Sequence, residues 1–200
     1  MKSLLKIIAQ NKIAVIIRNF LGIKPVILNS INIKENYSIS DAFIWRTDNN
    51  YKTVFKYSNL LDLFYNENDT HVEIFFYDKK FNLLKKIKID NLEILNKLTI
   101  NKNFFNGIED YGIFYIFHKT SNIINSSIRN SCYLGFSYNN NLESFVHGNL
   151  PTSYQDFQGK RIGHDIVGLS PLKNQKYRIQ KYFNKLSKSE IFINNPSLKR

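Results

Sequence analysis

Between His147 and Gly168 the chain gathers His147, Asn149, Tyr154, Gln155, Asp156, Gln158, Lys160, Arg161, His164 and Asp165. Cations, amides, an aromatic and carboxylates within one short stretch make a set suited to gripping a polar or anionic ligand through charge-assisted hydrogen bonds. Glycines 159 and 163 flank Lys160 and Arg161, so backbone amides there can approach an oxyanion. The spacing is no P-loop, because GxxxxGK[ST] is missing and no strand pattern precedes it. Arg129 stands alone between Arg46 and Arg161, among polar residues, and adds a further cation to this ligand-binding set; its structural alternative is an ion pair with a carboxylate. Trp45, beside Arg46, offers a stacking face for a sugar ring or a base, and core packing is its alternative.

Other chemistries are weaker. His118, His147 and His164, alone or with Asp156 or Asp165, would need the fold to bring them together, since neither HxH nor HExxH occurs. No metal or other cofactor is therefore expected. Cys132, with His147 as base, is a conceivable nucleophile, but strand alternation groups it with Leu134 and Phe136 as a small buried hydrophobe. A single cysteine excludes an internal disulfide framework and any multi-cysteine zinc site. The adjacent carboxylates Glu109 and Asp110 show nothing of a glycosidase pair.

The elements that must hold these groups follow from periodicity. Residues 1–21 place Leu4, Leu5, Ile8, Ile13, Ile16, Ile17, Phe20 and Leu21 at helical spacing, and Gly22 and Pro25 end the run. The result is an N-terminal basic amphipathic helix with a linker, over 1–30, for packing on the domain, a membrane surface or a partner. From residue 40 the period becomes two. Tyr51–Tyr57 and His71–Tyr77 alternate, the turn Asp78-Lys79-Lys80 leads into Phe81–Ile89, and further strands are expected at Leu98–Ile100, Gly112–His118, Cys132–Tyr138 and Leu142–His147. Beyond His147 the alternation breaks into a long glycine- and proline-punctuated loop, 147–168. A short basic helix over Lys173–Lys188 and a closing strand at Glu190–Ile193 follow. The expectation is mainly β: one antiparallel β-sandwich, jelly-roll-like, across 36–200.

Charge separates the ends from the middle. The net charge is +12; residues 1–35 carry six basic side chains against Glu35, and residues 157–200 carry ten against Asp165 and Glu190, leaving the middle nearly neutral. No apolar run approaches the roughly 20 residues of a transmembrane helix, and none resembles a secretory core, so a cytoplasmic protein is expected. Three function classes remain. The first is a non-catalytic binding module for a polar or anionic small molecule or glycan through the 147–168 loop. The second is a protein that binds nucleic acid or an acidic surface through its basic ends. The third is a metal-dependent or sugar-modifying enzyme on a double-sheet fold. Pairing of sheet edges into a homo-oligomer stays open.

Overall fold

The structure is a computed structural model that describes residues 37–129, 132–139, 141, 144–147, 149–159 and 161–165, with Ile13, Ile17, Phe20 and Leu21; for 144–147, 149–152 and 161–165 it describes the backbone. The helices expected at 1–21 and 173–188 and the strand at 190–193 fall outside the described residues, four positions of the first apart. Among the described residues no helix is long and apolar enough to cross a membrane.

In chain order the elements are β1 (Tyr37–Arg46), β2 (Tyr51–Ser58), α1 (Leu60–Tyr65), β3 (Thr70–Asp78), β4 (Leu83–Ile89), β5 (Leu95–Ile100), β6 (Tyr111–Thr120), β7 (Ile128–Arg129), β8 (Tyr133–Tyr138), β9 (Ser144–His147), β10 (Asn149–Asp156) and β11 (Arg161–Asp165). They form two sheets. The seven-stranded sheet runs β11-β10-β1-β6-β3-β4, with β7 also on β1, and the four-stranded sheet runs β5-β2-β8-β9. The protein is mainly β, as its alternating apolar segments imply, and the two sheets are consistent with a β-sandwich. All pairings are antiparallel except the short β1–β7 one.

Period two decides which residues fill the core. Val72, Ile74 and Phe76 of β3, Phe114 and Ile116 of β6, and Phe43 and Trp45 of β1 join Phe55 and Tyr57 of β2, Ile100 of β5, and Cys132 and Leu134 in one buried cluster. The intervening positions of the large sheet, Tyr77, Ile113, Tyr115 and Phe117, form a second buried cluster with Ala42 on the opposite face. β6 is thus buried on both sides, and its sequence correspondingly reads as a continuous apolar run. A third cluster, Leu60, Leu61, Ile124, Ile128 and Phe157, anchors α1 and the turn after β10.

β1 serves two neighbours in succession. Phe43–Arg46 pair with β6, while Tyr37–Ala42 pair with β10, and the register breaks between Asp41 and Ala42. Where β1 has left β6, side chains replace the ladder. Ser40 Oγ accepts from the Ile116 amide at 2.9 Å and Ser38 Oγ from the His118 amide at 2.8 Å, so the buried amides of β6 stay satisfied. The long loop expected over 147–168 is instead largely the β10–β11 hairpin. Its Pro151 falls opposite the register break, since Asp41 pairs with Thr152 and Ala42 with Asn149, so the missing N–H costs no ladder bond.

Candidate functional site

On the outer face of the seven-stranded sheet, away from the core, lies an open cleft of about 780 Å3. The alternation that sends Val72 and Ile74 inward turns His71 and Glu73 outward. The ladders set His71 opposite Lys119, Glu73 opposite Phe117 and Lys88, and Phe75 opposite Lys86. Three strands therefore place His71, Glu73, Lys86, Lys88 and Lys119 along one wall. The opposite rim is built from the segment after α1, which carries Glu67 and Asp69, from Ser121, and from the turn bearing Gln158 and Gly159. That turn is held in place by Phe157, which is buried beside Leu60 and Leu61.

Most of the charged groups lining the cleft already have partners. Lys86 Nζ lies 2.5 Å from Glu73 Oε1 and Lys88 Nζ 2.8 Å from Asp90 Oδ1. Ser121 Oγ donates to Asp69 Oδ2 at 2.5 Å, Asn122 Nδ2 to Glu67 Oε2 at 2.5 Å, and Asn59 Nδ2 to Thr70 Oγ1 at 3.0 Å. Asp62, Glu67, Asp69, Glu73 and Asp90 outnumber Lys86, Lys88 and Lys119, so the lining does not favour anions. Burial, with help from Lys88, lowers the His71 pKa below its ordinary value.

Lys119 differs from the other lysines. It is 2 % exposed, and its Nζ donates to Gln155 Oε1 at 2.8 Å and to the Asp156 carbonyl at 2.7 Å. Burial pushes its amine down to about 8, against the opposing pull of Glu73 and Asp156. The unfolded amine, near 10.5, still holds its proton between about pH 8 and 10.5, where the folded one has shed it. Stability rises with pH across that window, and below about pH 8 both states are protonated and the penalty is constant. Urea melts at pH 7 to 10 should therefore show wild type gaining on Lys119→Met by up to about 3 kcal/mol. A difference that stays flat with pH would contradict the burial of this amine.

Compared with protein-family models, curated proteins and solved structures, the chain matches none of them. Its chemistry must be read from its own residues.

Of the ligand-binding residues expected from the sequence, Arg129, Trp45 and Tyr154 have described side chains, and all three are engaged elsewhere. Arg129 forms an ion pair with Asp41, its NH2 2.7 Å from Oδ1 and its Nε 3.0 Å from the same oxygen. Trp45 is fully buried, its indole N–H donating to the Tyr77 carbonyl at 2.8 Å and its ring 4.4 Å from that of Phe105. Its surface is spent on packing, which removes it as an exposed stacking face. Tyr154 is 1 % exposed, against the Tyr37 ring. His147 lies on β9 in the smaller sheet, whereas Asn149, Arg161 and His164 lie on β10 and β11 in the larger one. Lys160 lies outside the described residues. Cys132 is buried and its thiol is pushed well above the usual range by that burial, which suits the small hydrophobe and not the nucleophile. His118 is buried, and among the described residues no three histidine, cysteine or carboxylate groups gather as a metal would require.

Gln158 and Gly159 are where the 147–168 segment and the cleft coincide. The remaining lining residues come from the β3–β4 hairpin, where alternation signals only a polar face, and from Lys119. The sequence reading did not single out Lys119; a lysine directly following the apolar run Gly112–His118 is a signal that could have found it.

Proposed function

We propose that the protein is a non-catalytic binding module whose ligand is an uncharged, polyhydroxylated molecule, a glycan, held in the cleft above β3, β4 and β6. One observation carries this reading: of the three lysines lining the cleft, Lys86 and Lys88 are already ion-paired with the lining carboxylates Glu73 and Asp90, and Lys119 is engaged by Gln155 and the Asp156 carbonyl. Fixed carboxylate, amide and ammonium groups, each with some hydrogen-bonding capacity left, suit vicinal hydroxyls, whereas a phosphate would have to compete with Glu73 and Asp90 for their lysines. The cleft volume is within the range of about 300–1,000 Å3 usual for small-molecule sites. The reading narrows a polar or anionic ligand to a neutral one and moves the contacts from the whole 147–168 segment to its Gln158–Gly159 turn. A jelly-roll-like form of the sandwich fits the same picture. The chain passes to the other sheet between β1 and β2, β2 and β3, β4 and β5, β5 and β6, β7 and β8, and β9 and β10.

The test is calorimetric titration with neutral oligosaccharides and with their sulfated counterparts. Neutral sugars should bind with little dependence on salt, and Lys88→Gln combined with Gln158→Ala, both at exposed positions, should weaken binding about tenfold or more with the apo melting temperature nearly unchanged. Tighter, salt-sensitive binding of the sulfated forms, or no binding by either set, would overturn the reading.

A further inference from the structure

We propose that Lys119 is a covalent capture site, its amine forming a Schiff base with the aldehyde of a short aldose that enters the cleft. This rests on the cleft taking polyhydroxylated ligands and adds to it a bond-forming atom.

The geometry comes first. A neutral amine has two hydrogens and one lone pair. Lys119 Nζ makes two donor bonds, to Gln155 Oε1 and to the Asp156 carbonyl, so a neutral Nζ keeps both and directs its lone pair away from those acceptors. Gly159 leaves the approach open: a Cβ there would stand 3.9 Å from Nζ, and the residue lines the cleft with φ +103°. The surrounding charges are His71 and Glu73 from β3, Lys86 and Lys88 from β4, and Asp156 from β10. Glu73 is already engaged by Lys86, which limits its hold on the Lys119 proton.

With the amine lowered to about 8, roughly a tenth is neutral at pH 7, against about one in three thousand for an ordinary lysine near 10.5. The neutral nitrogen adds its lone pair to the carbonyl carbon, and the π electrons go to oxygen, which takes up a proton. The nitrogen loses a proton to give the carbinolamine, whose hydroxyl takes up a second proton and leaves as water while the nitrogen lone pair forms the C=N bond, and the resulting iminium sheds the remaining N–H proton. Amine and aldehyde become imine and water, with no change in overall oxidation state. Because the side chain is 2 % exposed, only an aldehyde seated in the cleft reaches it.

The experiment treats the folded chain with low concentrations of glyceraldehyde and sodium cyanoborohydride between pH 6 and 9, then maps the reduced adducts by peptide mass spectrometry. At pH 7 the Lys119 adduct should exceed that on exposed Lys88 or Lys102 by about tenfold or more, rising with pH through a midpoint near 8. Lys119→Arg keeps the charge and removes the nucleophile, so it should abolish this adduct while the slow labelling of exposed Lys88 and Lys102 stays as in wild type. Adducts spread over exposed lysines with Lys119 no more labelled than they are, or a Lys119 midpoint near 10, would overturn the capture site. Reversible sugar binding without a Lys119 adduct defeats capture alone. A selective Lys119 adduct without reversible binding of any neutral sugar supports the reactive amine and defeats the glycan reading.

Discussion

Gly112→Ala should lower stability by about 3 kcal/mol or more, which for a chain of this size is roughly 6–12 °C in melting temperature. Gly112 lies in β6, opposite Trp45 on one side and Asp78 on the other. The space where its Cβ would stand is already filled: the Tyr77 carbonyl oxygen would be 2.0 Å away and Trp45 Nε1 2.9 Å away. The hydrogen bond from the Trp45 indole to the Tyr77 carbonyl, 2.8 Å long, passes over this glycine. A methyl group here must push backbone away from backbone, because its nearest neighbour is a carbonyl of β3 and not the flexible end of a side chain. Trp45→Phe in the same chain should not rescue it, since the carbonyl clash remains. Trp45 is the chain's one tryptophan, so its emission in a urea titration reads the event directly. The variant should emit further to the red in the folded state and unfold at lower denaturant. Wild-type emission and midpoint would mean that β3 and β6 are not packed as closely as described.

Why some of this fold was legible in the sequence and some was not has a physical answer. Tyr51–Tyr57 and His71–Tyr77 were legible because Phe55 and Tyr57, and Val72, Ile74 and Phe76, recur every second residue toward the core, and both segments appear as β2 and β3 within a residue of the expected ends. Phe81–Ile89 was expected as one alternating strand. Phe81 instead sits in the turn at φ +68°, stacked on Tyr77, and the ladder bulges between Phe76 and Tyr77 before β4 begins at Leu83. β1 and β10 were obscured for a different reason. Ser38, Ser40, Ser153 and Gln155 are buried polar residues with partners, and a hydrophobic pattern cannot show a strand whose interior is satisfied by hydrogen bonds. The abundance of asparagine, which composition alone would explain, has a structural use as well. Asn49, Asn50, Asn66, Asn91, Asn106 and Asn139 all hold positive φ, where asparagine is among the better-tolerated side chains.

The site was less legible than the fold. Its lining is drawn from 59–73, 86–92, 119–121 and 157–159, and spacing along a chain carries no sign that four such segments converge. The sequence does concentrate candidate ligand-binding groups in 147–168, and strand pairing distributes that stretch over both sheets. His147 goes to one sheet, Asn149, Arg161 and His164 to the other, and Tyr154 is buried. Arg129 follows its structural alternative, because β7 runs beside β1 and sets Arg129 opposite Ile39, within reach of the Asp41 carboxylate.

Phe114→Ala should have the largest effect of any single truncation in the core, a loss of about 3–5 kcal/mol. Phe114 is fully buried, and two of its ring neighbours are its own cross-strand partners: Phe43 at 5.3 Å and Phe76 at 5.2 Å. The third, Phe55, belongs to the four-stranded sheet and meets it edge-on at 4.8 Å. The same ring therefore supports the pairing within one sheet and the contact with the other. Its removal forfeits the transfer free energy and the aromatic contacts, and it leaves a cavity that two β-sheets cannot easily close. Phe64→Ala, at a ring 67 % exposed on α1, is the control and should change stability by no more than about 0.5 kcal/mol. Combining Phe114→Ala with Phe55→Ala should cost less than the sum of the two, because each opens the same space and the second truncation removes contacts already lost. Urea denaturation followed by circular dichroism and by Trp45 emission measures all four chains. An additive double variant, or a loss below about 1 kcal/mol for Phe114→Ala, would mean that the rings of the two sheets do not meet at this point.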